Sequence, residues 1–394
     1  MTVSRVKMSY EPLWRPAPST SLMPDERIPH CMSEYEMKRS TLWTVLVLHI
    51  PAGSALSQVF YPVGDLPGGE VRSFAFDVTD SGVAIGYSLA TNNEWEAYIW
   101  TPSSGMTGLG VLPGTVFSQA NAISADGRVV VGLSGEHAFR WTASGGMQLL
   151  SALPNGLDDA VARAVSHDGS VIVGDQDVPA DLGGYEAFRW TESTGAVGLG
   201  VLNEIWHRSR ATVISGDGAV VAGYDTGSGQ AFRWTEDSGL VPLGGVGIDL
   251  PRPTGISFDG SVIVGNGAGP EAFRWTEESG YVSLGSYTAN DVSDDGSVIV
   301  GNEFYDSRYW ATIWTESAGW RRLDDILADD FGVALPGWQL NSIESISPNG
   351  QVIAGRALNP QGAFTGFVLF IPSPGAGLLL PSMCLVYSRR RRSS

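Results

Sequence analysis

The chain has 394 residues, 50 of them Gly and only two Lys, and a net charge of −18. Between residues 58 and 370, fourteen Arg and no Lys stand against 37 Asp and Glu, a balance of −23. A surface that acidic repels phosphate backbones, which argues against nucleic acid as a partner and leaves cations and neutral or basic ligands open.

Residues 1–36 are polar, Pro-rich and without pattern, and are read as a disordered upstream extension with Met37 as the true start. Residues 37–57 follow with Lys38 and Arg39, an apolar run from Leu42 to Ile50, then Pro51 and small residues. That order is the layout of a secretory signal peptide, and the run is too short for a stable spanning helix.

From residue 58 to 370 one unit repeats. Its turns are Thr79–Gly82, Ser124–Gly127, Ser166–Gly169, Ser215–Gly218, Ser257–Gly260, Ser293–Gly296 and Ser347–Gly350, with glycine spacings of 45, 42, 49, 42, 36 and 54. Short apolar runs bounded by Gly and Asp are strand signals, and four of them per unit at this period predict an all-β chain, a seven-bladed β-propeller of four-stranded blades. YPVGDLPGG, from Tyr61, is expected to supply the first inner strand, and the Asp-Gly turns are expected to be type I′. The only cysteines, Cys31 and Cys384, lie outside the repeats, so packing and not disulfides must hold them.

A column of Trp100, Trp141, Trp190, Trp234, Trp275 and Trp314 runs two residues behind Tyr98, Phe139, Phe188, Phe232, Phe273 and Thr312. Period-two spacing puts each pair on one sheet face, where it fills the space between blades. The Arg of the repeated Phe-Arg-Trp (140, 189, 233 and 274) alternates away from that face and is expected to pair with a carboxylate on the adjacent blade.

No histidine spacing matches a metal site, and no Gly-x-Ser-x-Gly elbow or phosphate loop occurs, so no cofactor is expected. The Asp of each Ser-x-Asp-Gly turn is read as turn chemistry and not as a calcium ligand.

In an up-and-down blade the Asp-Gly turns share one face of the disc. The loops at 175–186, 202–210, 302–310 and 323–340 are irregular and fall on the other. Irregular loops on a rigid scaffold carry binding residues, and the aromatic candidates there are Trp206, His207, Tyr305, Tyr309, Trp310 and Trp338. Against this stands the plainer reading that these rings plug gaps between long loops. A glycosidase or lyase would need converging carboxylates, for which Asp158, Asp159, Asp324 and Asp325 are the candidates.

The last residues, 371–394, hold Pro372-Ser373-Pro374, an apolar run from Gly375 to Tyr387 and Arg389 to Arg392. An apolar segment stopped by a basic cluster anchors in a membrane. The tail resembles the PEP-CTERM sorting signal of Gram-negative bacteria, with Ser where Glu is common. That resemblance implies an exosortase-like processing enzyme as partner, and membrane contact only through the tail before cleavage.

The repeats are similar to the HAF family of bacterial extracellular repeats, on GDLPGG at 64–69, His137-Ala138-Phe139 and the EAFRWT copies at 186 and 271. The resemblance covers roughly four-fifths of the chain. It implies an exported repeat protein and no enzyme activity. The two terminal signals and the aromatic loops point instead to the cell envelope or surface matrix as its place and to extracellular polysaccharide or another surface protein as partner.

Overall fold

The computed structural model describes residues 59–371, apart from 92, 155, 158, 180–183, 204 and 245–247. The expected signal peptide at 37–57, the expected sorting tail beyond Ile371, both cysteines and Asp158 lie outside the described residues.

Seven antiparallel four-stranded sheets stand around one axis as a β-propeller. Blades one to six span residues 73–110, 118–149, 160–200, 209–242, 252–285 and 288–322, each running from its inner strand to its outer strand in chain order. Blade seven is built from both ends of the propeller. Its three inner strands come from residues 339–370, while Phe60–Pro62 adds the outermost strand by pairing Phe60 with Leu369 and Pro62 with Phe367. The Tyr61 segment is therefore an outer strand of the last blade and not an inner strand of the first. Sequence periodicity cannot separate these two placements, because both read as the strand before a repeat.

Of the predicted aromatic columns, the Tyr/Phe column forms the core, while in the Trp column Trp100 and Trp275 are buried and Trp141, Trp190, Trp234 and Trp314 pack half-buried against it. Tyr98, Phe139, Phe188, Phe232, Phe273 and Phe367 are all buried. Each is made possible by a glycine directly opposite on the second strand of its blade. Gly223 pairs with Phe232, and a Cβ there would lie 1.9 Å from the Arg210 carbonyl oxygen and 2.7 Å from the Phe232 ring. The recurring Val-Val-Gly ending is thus a packing requirement, since only glycine lets ring and inner strand approach this closely. Each inner strand also carries a register shift, as between Ala211 and Val213, which turns an extra residue toward the axis.

The Ser-x-Asp-Gly turns form as hairpin connections on one face, but they are not type I′. Gly127 has φ +73° while Asp126 is not among the positive-φ residues, and the Gly127 N–H donates to the Ser124 carbonyl at 2.8 Å. The Asp carboxylate accepts from the Ser124 hydroxyl at 2.6 Å and from the Arg128 N–H at 3.0 Å, which occupies it within the turn. The primed two-residue turn occurs elsewhere, at Asp306-Ser307, with φ +52° and +62°.

Among the described residues one helix, Leu323–Phe331, interrupts the all-β pattern, between blades six and seven. Leu323 and Leu327, four residues apart, are its buried contacts, and Gly332 closes it in the left-handed region with its N–H on the Ala328 carbonyl at 3.1 Å.

The expected ion pairs of the repeated arginines do not form among the described residues. Arg140 and Arg189 bury an Nε without a hydrogen-bond partner, and Arg189 instead lies over the Trp234 ring at 6.0 Å. The arginine stem packs as apolar surface, and an aromatic face substitutes for a carboxylate.

Candidate functional site

The inner strands turn one side chain each toward the axis at mid-depth: Phe76, Asn121, Arg163, Thr212, Thr254, Asn290 and Glu344. Above this level, on the side of the irregular loops, the channel opens into a space of about 580 Å³. Below it lies a further cavity of about 190 Å³.

Four of these residues clasp one blade to the next. Asn121 donates to the Ala162 carbonyl at 2.8 Å, Thr212 to Pro253 at 2.8 Å, Thr254 to Ala289 at 2.8 Å and Asn290 to Ile343 at 2.6 Å. A buried main-chain carbonyl needs a donor, and the neighbouring blade supplies it. Arg163 is held differently, by a hydrogen bond to Asp175, whose other oxygen stands 3.3 Å from Arg210 Nε.

One step deeper, the residue that follows the bulge is Asp77 in blade one, Asp291 in blade six and Ser345 in blade seven. The Ser345 hydroxyl lies 2.8 Å from Asp77 Oδ1 and 2.9 Å from Asp291 Oδ2. The other contacts are main-chain: Ile123 N–H donates to Asp77 at 2.9 Å and Ile346 N–H to Asp291 at 3.0 Å. Burial, reinforced by the neighbouring Asp77, pushes the Asp291 carboxyl up to about 7, and burial also raises Asp77. No sequence signal announced this pair, because the two acids sit more than 200 residues apart.

The turns of the floor are tied to one another. The second residues of the Asp-Gly turns hydrogen-bond from blade to blade: Ala125 N–H to His167 O, His167 N–H to Gly216 O, Phe258 N–H to Asp294 O and Asp294 N–H to Pro348 O, all at 3.0–3.1 Å. The Phe258 ring lies edge-on to His167 at 5.4 Å and would be 2.4 Å from a Cβ on Gly216, so it fills the place a side chain would take there. His167 Nε2 stands 3.4 Å from Asp294, whose carboxyl is raised by burial.

The opposite face carries guanidinium groups laid on aromatic rings. Arg72 lies over Trp95 at 5.6 Å, Arg210 over Tyr185 at 4.0 Å, Arg252 over Tyr224 at 5.2 Å and Arg356 between Phe74 and Phe364 at 5.4 and 5.2 Å. Such pairs hold a flexible cation in one orientation.

The sequence-selected aromatics divide into three places. Trp206 is 52 % exposed on the loop entering blade four, with Arg208 over its ring at 5.5 Å. Its neighbour His207 is half-buried, and its carbonyl accepts the Tyr185 N–H at 2.8 Å. Tyr305 and Tyr309, 60 % and 50 % exposed, stand on the extended hairpin of blade six; Trp310 is half-buried there beneath Arg308 and Arg322. Blade five separates these two groups, so they form two platforms on one rim. Trp338 packs edge-on against Phe60 at 5.0 Å beside the core under the helix, which makes it a gap filler.

Of the acids selected earlier, Asp159 belongs to the stretch before blade three, while Asp324 and Asp325 open the helix. Burial and then Asp325 raise Asp324. What the sequence reading missed is the set of stacked arginines, whose partners come from separate strands. The blade-six cluster alone was foreshadowed, by the density of aromatics at 302–310.

No protein-family model matches the chain, and no curated protein matches it. Among solved structures it is similar to an oligogalacturonate lyase from Vibrio parahaemolyticus, at 12 % identity and TM-score 0.53, over 80 % of this chain and 94 % of that one. It is similar also to a streptogramin B lyase, at 11 % identity and TM-score 0.51, over 79 % and 98 %. A putative TolB from Agrobacterium tumefaciens aligns at 16 % identity and TM-score 0.42, over 68 % and 94 %. At such identities the likeness is one of fold: the chain is a β-propeller with distant propeller neighbours of differing function.

Proposed function

We propose that the chain is an exported, non-catalytic binding propeller of the cell envelope or extracellular matrix, and that it takes polysaccharide on the face of irregular loops. The observation that carries this reading is the pairing of exposed rings with an open channel mouth. Trp206, Tyr305 and Tyr309 are at least half exposed on that rim, and a sugar ring stacks on such a face at little entropic cost. Export rests on the signal-like segment at 37–57, and surface sorting on the tail at 371–394 with an exosortase-like enzyme.

The alternative is a glycosidase or polysaccharide lyase, and one observation favours it. Asp77 and Asp291 share Ser345, so their nearest oxygens lie within about 6 Å, close to the ~5–5.5 Å of a retaining glycosidase, and one of them is held near neutral pH. Against catalysis, both acids already accept main-chain N–H groups, and they sit below the neck of the channel. Both are best understood as clasps between blades six, seven and one.

One experiment separates the two readings: the purified protein is titrated against a panel of bacterial and algal polysaccharides while reducing ends are assayed in the same wells. Binding without new reducing ends is the expected result. New reducing ends, lost in Asp291→Asn, would establish the enzyme instead.

A further inference from the structure

The junction of blades seven and one holds a feature that sugar stacking alone leaves unexplained. Phe74, Tyr87 and Trp95 form a contiguous aromatic cluster, with centroids 4.9 Å apart for Phe74 and Tyr87, 5.7 Å for Phe74 and Trp95 and 4.8 Å for Tyr87 and Trp95. Phe76, which lines the channel, continues it at 5.2 Å from Tyr87. Two guanidiniums lie against the same cluster: Arg72 over Trp95 at 5.6 Å, and Arg356 over Phe74 at 5.4 Å with Phe364 beyond.

Among the described residues neither arginine has a carboxylate within ion-pair distance, and the Arg356 Nε is buried without a hydrogen-bond partner. Arg140 and Arg189 are likewise without an ion pair among the described residues, but each stands singly, whereas here two such cations meet on one cluster. A buried guanidinium N–H without an acceptor costs stability unless a ligand supplies one. Glu344 acts on the same cluster, and its carboxylate accepts the Ser342 hydroxyl at 2.6 Å. Arg72, Arg356 and Glu344 all act on the Tyr87 hydroxyl, which burial raises and the two arginines pull back.

We propose that Arg72 and Arg356, held on the Phe74–Tyr87–Trp95 cluster at the channel mouth, form a carboxylate-recognising subsite that selects a uronic-acid residue of the bound polysaccharide. This deepens the polysaccharide reading and rests on it. A guanidinium fork matches a carboxylate in two parallel hydrogen bonds, and the neighbouring rings present an apolar face to the sugar that bears it.

The purified protein is titrated with tetragalacturonate, with its methyl ester, which keeps the sugars and removes the charge, and with a DNA duplex. Expected is binding of the acid at least about tenfold tighter than the ester, as a charge-assisted pair supplies. Arg356→Gln and Arg72→Gln should each abolish that difference, while Arg128→Gln, in an Asp-Gly turn on the opposite face, leaves it intact. Arg356→Lys, which keeps the charge and loses the fork, should restore only part of it. Melting curves of each variant report the fold separately. Equal affinity for acid and ester would overturn the carboxylate subsite and leave the polysaccharide reading standing, and so would binding of neutral glycans alone. DNA bound as tightly as tetragalacturonate would replace sugar recognition by general anion binding. Absence of binding to every glycan would overturn both.

Discussion

The two faces of this propeller are made from the same repeat and behave oppositely. On one face the turns at 124–127, 166–169, 215–218, 257–260 and 293–296 are near copies. Ser and Asp satisfy the main chain locally in each, and blade-to-blade hydrogen bonds tie the floor together. The open face has no two loops alike; its polar groups reach across strands, and its arginines rest on rings from other segments. Repetition on one side makes a rigid base whose polar groups are used internally, and variation on the other leaves groups free for a ligand.

The comparison breaks most severely where both faces depend on one atom. Gly223→Ala would place a Cβ 1.9 Å from a carbonyl oxygen, and we expect a loss of at least ~3 kcal/mol, seen as a collapse of soluble folded protein and of glycan binding together. Ser215→Ala, on the face of the Asp-Gly turns, removes the acceptor of the Val220 N–H and the donor to Asp217. It should cost ~1–3 kcal/mol in chemical denaturation while binding is unchanged, and a loss of binding would mean the faces are coupled.

A subtler test uses pH. The Asp291 carboxyl sits at about 7 in the folded channel against an ordinary carboxylate value in the unfolded chain, so the folded state holds the extra proton between those limits. Its stabilisation is complete below the unfolded value and is lost as pH rises through about 7. Melting temperature should therefore fall from pH 5 to pH 8.5, and Asp291→Asn should flatten that slope. The smallest effect on stability belongs to Trp206→Ala on the open face, within ~0.5 kcal/mol because the ring is half exposed, although glycan affinity should drop measurably in the same titration.

The fold was legible because its causes are local. Glycine spacing, the Phe and Trp columns and the strand-length apolar runs each express a packing rule that acts within one blade or between neighbours. Three features escaped for the opposite reason. The Phe60–Pro62 strand pairs with a partner some 300 residues away, and Asp77 meets Asp291 through Ser345 only because the ring closes. The Arg–aromatic stacks likewise join residues whose separation in sequence carries no signal. Of the six aromatics selected for binding, five stand on the open face. Trp338 differs because Phe60, arriving from the other end of the propeller, supplies its packing partner.

That closing strand also sets a timetable. Phe60 is among the first propeller residues made and Leu369 among the last, and the two must meet before blade seven has its fourth strand. Earlier blades can zip from adjacent hairpins as the chain emerges, but until the final segment arrives the molecule is an open arc with two raw sheet edges. A chain of this design has its most vulnerable moment between the folding of its first blades and the locking of the ring, so the residues that hurry this last pairing guard the protein's yield as much as its stability.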